Sequence, residues 1–107
     1  METTTLSIAA NVKAIDLIKS EILSEVARLY ENLADFDNTD IYNNISNGIA
    51  TIAAMDYILA RRLGFSYEDI DKKIVELASI AEKNNHELEI AFSDMSDLRK
   101  HISRRGI

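Results

Sequence analysis

The chain has 107 residues, 47% of them hydrophobic, and its 18 acidic and 12 basic side chains give a formal net charge of −6. That length leaves room for one domain, residues 1–107, with a core of its own, and the wealth of Ile, Leu and Val argues against intrinsic disorder. With no Pro, no Cys and only three Gly, the sequence excludes a turn-rich sandwich, a disulfide framework, a thiol nucleophile and a thiolate metal site. No apolar run approaches the ~20 residues needed to span a bilayer. Met1–Ala10 carries Glu2 and no basic residue, unlike a secretory signal. The expectation is a cytoplasmic helical protein that makes no membrane contact. The charge is uneven: residues 1–60 hold nine acids against Lys13, Lys19 and Arg28, whereas residues 61–107 are balanced. That balance disfavours nucleic acid as a partner, because phosphate binding needs a basic surface.

The first helix is marked by Ile8, Val12, Ile15, Ile18, Ile22, Val26, Leu29 and Leu33, an apolar stripe in steps of three and four over seven turns. Thr5 or Ser7 can cap its start, and the polar cluster from Asp35 to Asp40 ends it. Asp40 stands as the N-cap of a second helix with the stripe Ile41, Ile45, Ile49, Ile52, Met55, Leu59 and Leu63, closed by Arg61, Arg62 and Gly64. Ser66 with Asp69 resembles a capping arrangement for a third helix that turns Ile70, Ile74, Leu77 and Ala81 inward and leaves Asp71, Lys72, Lys73 and Glu76 outside. Asn84-Asn85 ends it. The segment from His86 to Phe92 carries no decisive pattern, and a last short helix over Asp94 to Arg104 turns Met95, Leu98 and Ile102 inward. Brief connections between these elements imply an all-α antiparallel bundle of about four helices.

Few residues carry chemistry. Glu21 and Glu25 lie one helical turn apart, where they can share a hard cation such as Mg²⁺ or simply be solvated. Asp56 lies beside an apolar stripe, so it calls for a partner, either Arg28 or Arg62 in an ion pair, or a metal. Asn43, Asn44, Ser46, Asn47 and Thr51 make the start of the second helix polar, fit to hydrogen-bond a base, a sugar or a partner's backbone. Arg99, Lys100, His101, Arg104 and Arg105 either meet phosphates or complement a helix dipole, the second being favoured; His86 and His101 have no ligand spacing. No phosphate loop, nucleophile elbow or HExxH sequence is present.

Three stretches carry a resemblance. The run from Tyr57 to Asp71, the segments Asn85-His86-Glu87-Leu88-Glu89 and Phe92 to Leu98, and Lys19 to Val26 in the first helix are together similar to small MazG-like proteins. The likeness implies membership of the all-α nucleoside triphosphate pyrophosphohydrolase superfamily, whose members are oligomeric and cleave nucleoside triphosphates to the monophosphate and pyrophosphate with Mg²⁺. The superfamily carries an ExxE-type motif on one helix and ExxD on the next. Glu21 and Glu25 fall in the region of the first motif, at a spacing of four. Asn47, Gly48 and Thr51 stand where the second motif's carboxylates belong, and Asp56 lies about a turn later. The resemblance implies a MazG-like protein that binds a nucleotide or regulates, with weak or absent hydrolase activity, and the seven-turn stripe of the first helix, longer than the short last helix can cover, implies a homodimer. The alternative is an active Mg²⁺-dependent pyrophosphohydrolase. If a site survives, its metal ligands are Glu21 and Glu25 with Asp56 in reserve, and Asn47, Arg61 and Arg62 face the nucleotide, although the helix dipole explains the two arginines equally well.

Overall fold

In the computed structural model, residues 5–35 and 40–105 are described, with side chains from Ala9 onward. They form five helices and no strand: α1 (Thr5–Ala34), α2 (Ile41–Arg62), α3 (Tyr67–Lys83), α4 (Glu87–Phe92) and α5 (Asp94–Ser103). The all-α expectation holds, and the undecided segment after His86 is the extra helix α4. Among the described residues no helix is long and apolar enough to cross a membrane. The chain divides into two compact units, Met1–Gly64 and Phe65–Ile107.

The first unit is the antiparallel pair α1–α2. The Asn11 Nδ2 amide donates to the Arg62 carbonyl at 2.7 Å, and Leu29 lies against Gly48, so the start of α1 meets the end of α2. At about 1.5 Å rise per residue, a 30-residue helix outruns one of 22. The stripe on α1 is accordingly covered only in its middle: Ile18 is buried and Ile15, Ile22, Val26 and Leu29 are half-buried, while Val12 and Leu33 are exposed. Ile8, the Thr5 and Ser7 cap and the residues 36–39 of the polar cluster lie outside the described side chains.

On α2 the inward positions are Ile41, Ile45, Gly48, Ile52, Met55, Leu59 and the buried Ala60. Steps of four, three, four, three and four from Ile41 to Leu59 pass through Gly48. Ile49, expected on the stripe, sits one residue round the helix and is 54% exposed; Leu63 is exposed beyond the last turn. Asp40 holds the N-cap position, yet its side chain makes no capping bond. Gly64 ends α2 with φ at +101°, a left-handed conformation that favours glycine, and its N–H donates to the Arg61 carbonyl at 3.1 Å.

The second unit packs α3 against α5, with α4 leading into α5. Ser66 and Asp69 form a reciprocal capping box, both bonds at 2.9 Å, and the bond from the Ser66 backbone N–H holds the Asp69 carboxyl below the usual aspartate range. On α3 the expected Ile70, Ile74 and Ala81 are half-buried, but the most buried positions lie one residue further round the helix. Asp71, expected outside, is only 8% exposed, whereas Leu77 is 57% exposed and Ala78 is buried. The reason is on α5 and just past its end. Arg105 reaches Asp71 at 3.5 Å, and Arg99 clamps Glu82 with Nε at 2.9 Å and Nη2 at 3.2 Å. These pairs bracket the seam antiparallel, with Ala78 and Ile102 the most buried apolar side chains between them. Arg99 and Arg105 each hold a carboxylate on α3, while Lys100 and His101 stand in the last turn of α5, where cations complement the helix dipole as expected.

The α4–α5 joint depends on a glutamate. Ser93 takes φ +62° between the helices, and Glu89 reaches past it to accept the Ser96 N–H and the Ser96 hydroxyl, both at 2.8 Å. Glu89 thus satisfies the open N-terminus of α5 from outside that helix. His86, expected to be incidental, caps α4: its Nδ1 accepts the Leu88 N–H at 3.0 Å. The bond from the Ser96 backbone holds the Glu89 carboxyl below the usual glutamate range. A depressed folded-state pKa contributes stability that is present above the unfolded value and lost as pH falls through the folded one. Urea unfolding followed from pH 7 down to about pH 3 should therefore show a loss of stability below about pH 5 that is smaller in Glu89→Gln, which has no charge there to lose.

Candidate functional site

The α1–α2 pair carries a groove of about 360 Å³. Its walls come from two polar helix edges: Glu25, Arg28 and Asn32 on α1, and Asn44, Asn47, Gly48 and Thr51 on α2. On α2 the offsets of three, four and seven residues put four positions on one face; on α1 the offsets of three and seven do the same. Glu25 is half-buried, and its carboxylate accepts a hydrogen bond from the Arg28 guanidinium three residues on. The acid and base of the lining thus offset each other. Asn32, Asn44 and Thr51 are half-buried and Asn47 is exposed. Among the described residues, none of these four side chains is hydrogen-bonded to another protein group. Their amides and hydroxyl face the groove or water.

Of the residues expected to hold a metal, Glu25 lines the groove. Glu21, one turn earlier, is exposed and outside the lining. Asp56 is also exposed and outside the lining, and among the described residues it forms no ion pair. The expected Arg28 partner is taken by Glu25, and hydration at the surface removes the cost that called for a partner. Among the described residues no three His, Asp or Glu side chains gather as a ligand set. A single arginine-paired carboxylate does not fit a Mg²⁺–triphosphate centre, which draws on several anionic oxygens. Asn47 does line the groove, while Arg61 and Arg62 are exposed in the last turn of α2, away from it.

The chain matches the model of the MazG-like family over residues 8–95, and it belongs to that family. No curated protein and no solved structure gives a significant match. The match runs through both helices of the groove and on through α3 and α4.

Sequence reasoning passed over Asn32 and read Arg28 as a partner for Asp56. The signal was available as a polar repeat, Glu25, Arg28 and Asn32, at offsets of three and seven along a helix whose apolar stripe occupies the other face. What could not be seen was that a matching edge on α2 lies opposite.

Gly48 is the unusual member of the lining. A glycine in a helix interior costs about 1 kcal/mol relative to alanine. A Cβ there would lie 3.7 Å from Leu29 Cδ1 and 3.8 Å from Leu29 Cβ, ordinary van der Waals contact. The packing of the two helices therefore does not require glycine. Gly48→Ala should raise the stability of the protein by about 0.5–1 kcal/mol, read as a higher denaturation midpoint at unchanged slope.

Proposed function

We propose that this MazG-like protein is a dimeric nucleotide-binding or regulatory module with little or no pyrophosphohydrolase activity, and that the α1–α2 groove is its ligand site. The observation that carries the reading is the composition of that groove: three asparagines, a threonine and a glycine around one Glu–Arg pair. Attack of water on a triphosphate calls for a cation held against the phosphate oxygens, and neutral amides are poor substitutes for the carboxylates that hold it. Such a lining suits hydrogen-bonded recognition without bond cleavage.

The dimer is supported by the apolar surface of the helix pair. Leu17, Leu23, Tyr30, Tyr42 and Ile49 are exposed on α1 and α2, and the stripe on α1 outruns its cover, leaving Val12 and Leu33 open. A second copy offers the same surfaces in a two-fold arrangement. Sedimentation at micromolar concentration should give a dimer; a 12.0 kDa species alone would remove this part of the proposal.

A second reading is an active Mg²⁺-dependent pyrophosphohydrolase, and one observation favours it: Glu25 lies in the groove. In that reading Glu21, Glu25 and Asp56 would hold the ion, and Asn47, Arg61 and Arg62 would face the nucleotide. The deciding experiment is a panel of nucleoside and deoxynucleoside triphosphates with Mg²⁺ or Mn²⁺, read as pyrophosphate release. The expected outcome is no release above the buffer rate and the same melting temperature in Mg²⁺ as in EDTA. Release that disappears in Glu21→Gln with Glu25→Gln would establish the enzyme instead.

The amide lining also predicts a gain. Asn47→Glu with Thr51→Glu places two carboxylates on the α2 wall facing Glu25. Millimolar Mg²⁺ should then raise the melting temperature of the double variant and leave the parent unchanged, because a ligand of the native state stabilises it by mass action.

A further inference from the structure

We infer that the α1–α2 groove takes the uncharged, hydrogen-bonding edge of a nucleobase, without a metal ion, and leaves the phosphate end of the nucleotide outside. The inference rests on the nucleotide-binding reading above and assigns which part of the ligand enters.

Three independent features of the groove point the same way. The first is charge. The lining holds one carboxylate and one guanidinium, and they are bonded to each other. A triphosphate carries several negative charges, and its oxygens need either a cation cluster or metal ions held by carboxylates. Neither set lies in this lining, and Arg61 and Arg62 stand outside it.

The second is the donor and acceptor inventory. Each asparagine offers an N–H donor and a carbonyl acceptor side by side, the pattern that matches the adjacent donor and acceptor on a base edge. Asn32, Asn44 and Asn47 are three such groups from both walls, Thr51 adds a hydroxyl, and none is hydrogen-bonded to another described protein group. Asn and Thr are also poor helix formers, so their concentration in the first half of α2 works against the helix that carries them.

The third is space. Gly48 lowers helix stability where alanine would fit, and it forms part of the groove wall. Gly48 is itself buried, so the missing side chain deepens the floor of the groove beside Leu29, where a flat group can enter. A volume near 360 Å³ lies within the range of small-molecule sites.

The test is an NMR titration of the full chain in EDTA with adenosine, guanosine, cytidine and uridine, each to millimolar concentration, with ribose 5-phosphate as the phosphate-only probe. At least one nucleoside should shift the backbone amide signals of residues 25–32 and 44–51, and ribose 5-phosphate should not. Asn47→Ala and Gly48→Ala should each weaken that binding about tenfold while holding or raising the melting temperature, so that lost binding is not lost folding. The inference is overturned if no nucleoside moves those signals, if binding requires Mg²⁺, or if both variants bind as the parent does. A triphosphate that binds while every nucleoside leaves the groove untouched overturns this assignment and leaves the nucleotide-binding reading standing. Silence from nucleosides and triphosphates alike removes both.

Discussion

The first unit is organised around a glycine placed on a seam. A two-helix layer has a single shared face, and α2 contributes to it through positions a turn apart from Ile41 to Leu59, with Gly48 in the middle. Leu29 of α1 lies against that position without filling it. The apolar seam continues on both sides of Gly48, through Ile41 and Ile45 and through Ile52, Met55 and Leu59. Along its flank the polar edges of both helices come together as a groove. Ile49, displaced from the seam by the same phase, is left on the surface. Helix contact, groove and exposed apolar side chain all follow from the register that brings Gly48 inward.

The second unit solves a different problem. Its helices are short, and its most buried apolar side chains are Ala78 and Ile102. Long polar contacts carry the alignment instead: Arg99 forks onto Glu82, Arg105 meets Asp71, and Glu89 closes the start of α5. A guanidinium fork fixes both distance and rotation between two helices, which small apolar side chains cannot do. This explains why the carboxyl-terminal half, though electrically balanced overall, is rich in charge. Lys72, Lys73, Arg99 and Arg105 are set against Glu68, Glu76, Glu82 and Asp71 within the unit.

The MazG-like membership and the groove are consistent with each other in an instructive way. The family match covers residues 8–95 and so includes the groove helices. At the groove itself, amides and a hydroxyl occupy the wall opposite Glu25. A fold is maintained by its apolar spacing, whereas a metal centre depends on the charge of a few side chains pointing into one volume. The first can persist while the second changes, because Asn and Asp differ little in size and greatly in charge.

Much of this protein was determined by local sequence alone. The three-and-four spacing of Ile, Leu and Val gave the helices, Gly64 and Asn84-Asn85 marked their ends, and Ser66 with Asp69 capped α3, all through interactions within a few residues of each other. The stretches Tyr57–Asp71, Asn85–Glu89 and Phe92–Leu98, with Lys19–Val26 in the first helix, suggested the family. Tertiary structure decided the phase of each face. Successive residues stand about 100° apart around a helix, so either Ile49 or Gly48, and either Leu77 or Ala78, can border an apolar stripe until a neighbouring helix selects which one turns inward. It also decided every long-range partner: Asp71 became buried because Arg105, 34 residues on, reaches it, and Glu25 met Asn44, Asn47 and Thr51 only because α2 folds back antiparallel along α1. Helical periodicity is a property of one segment. A groove, like an ion pair between helices, belongs to two, and its geometry exists only after they pack.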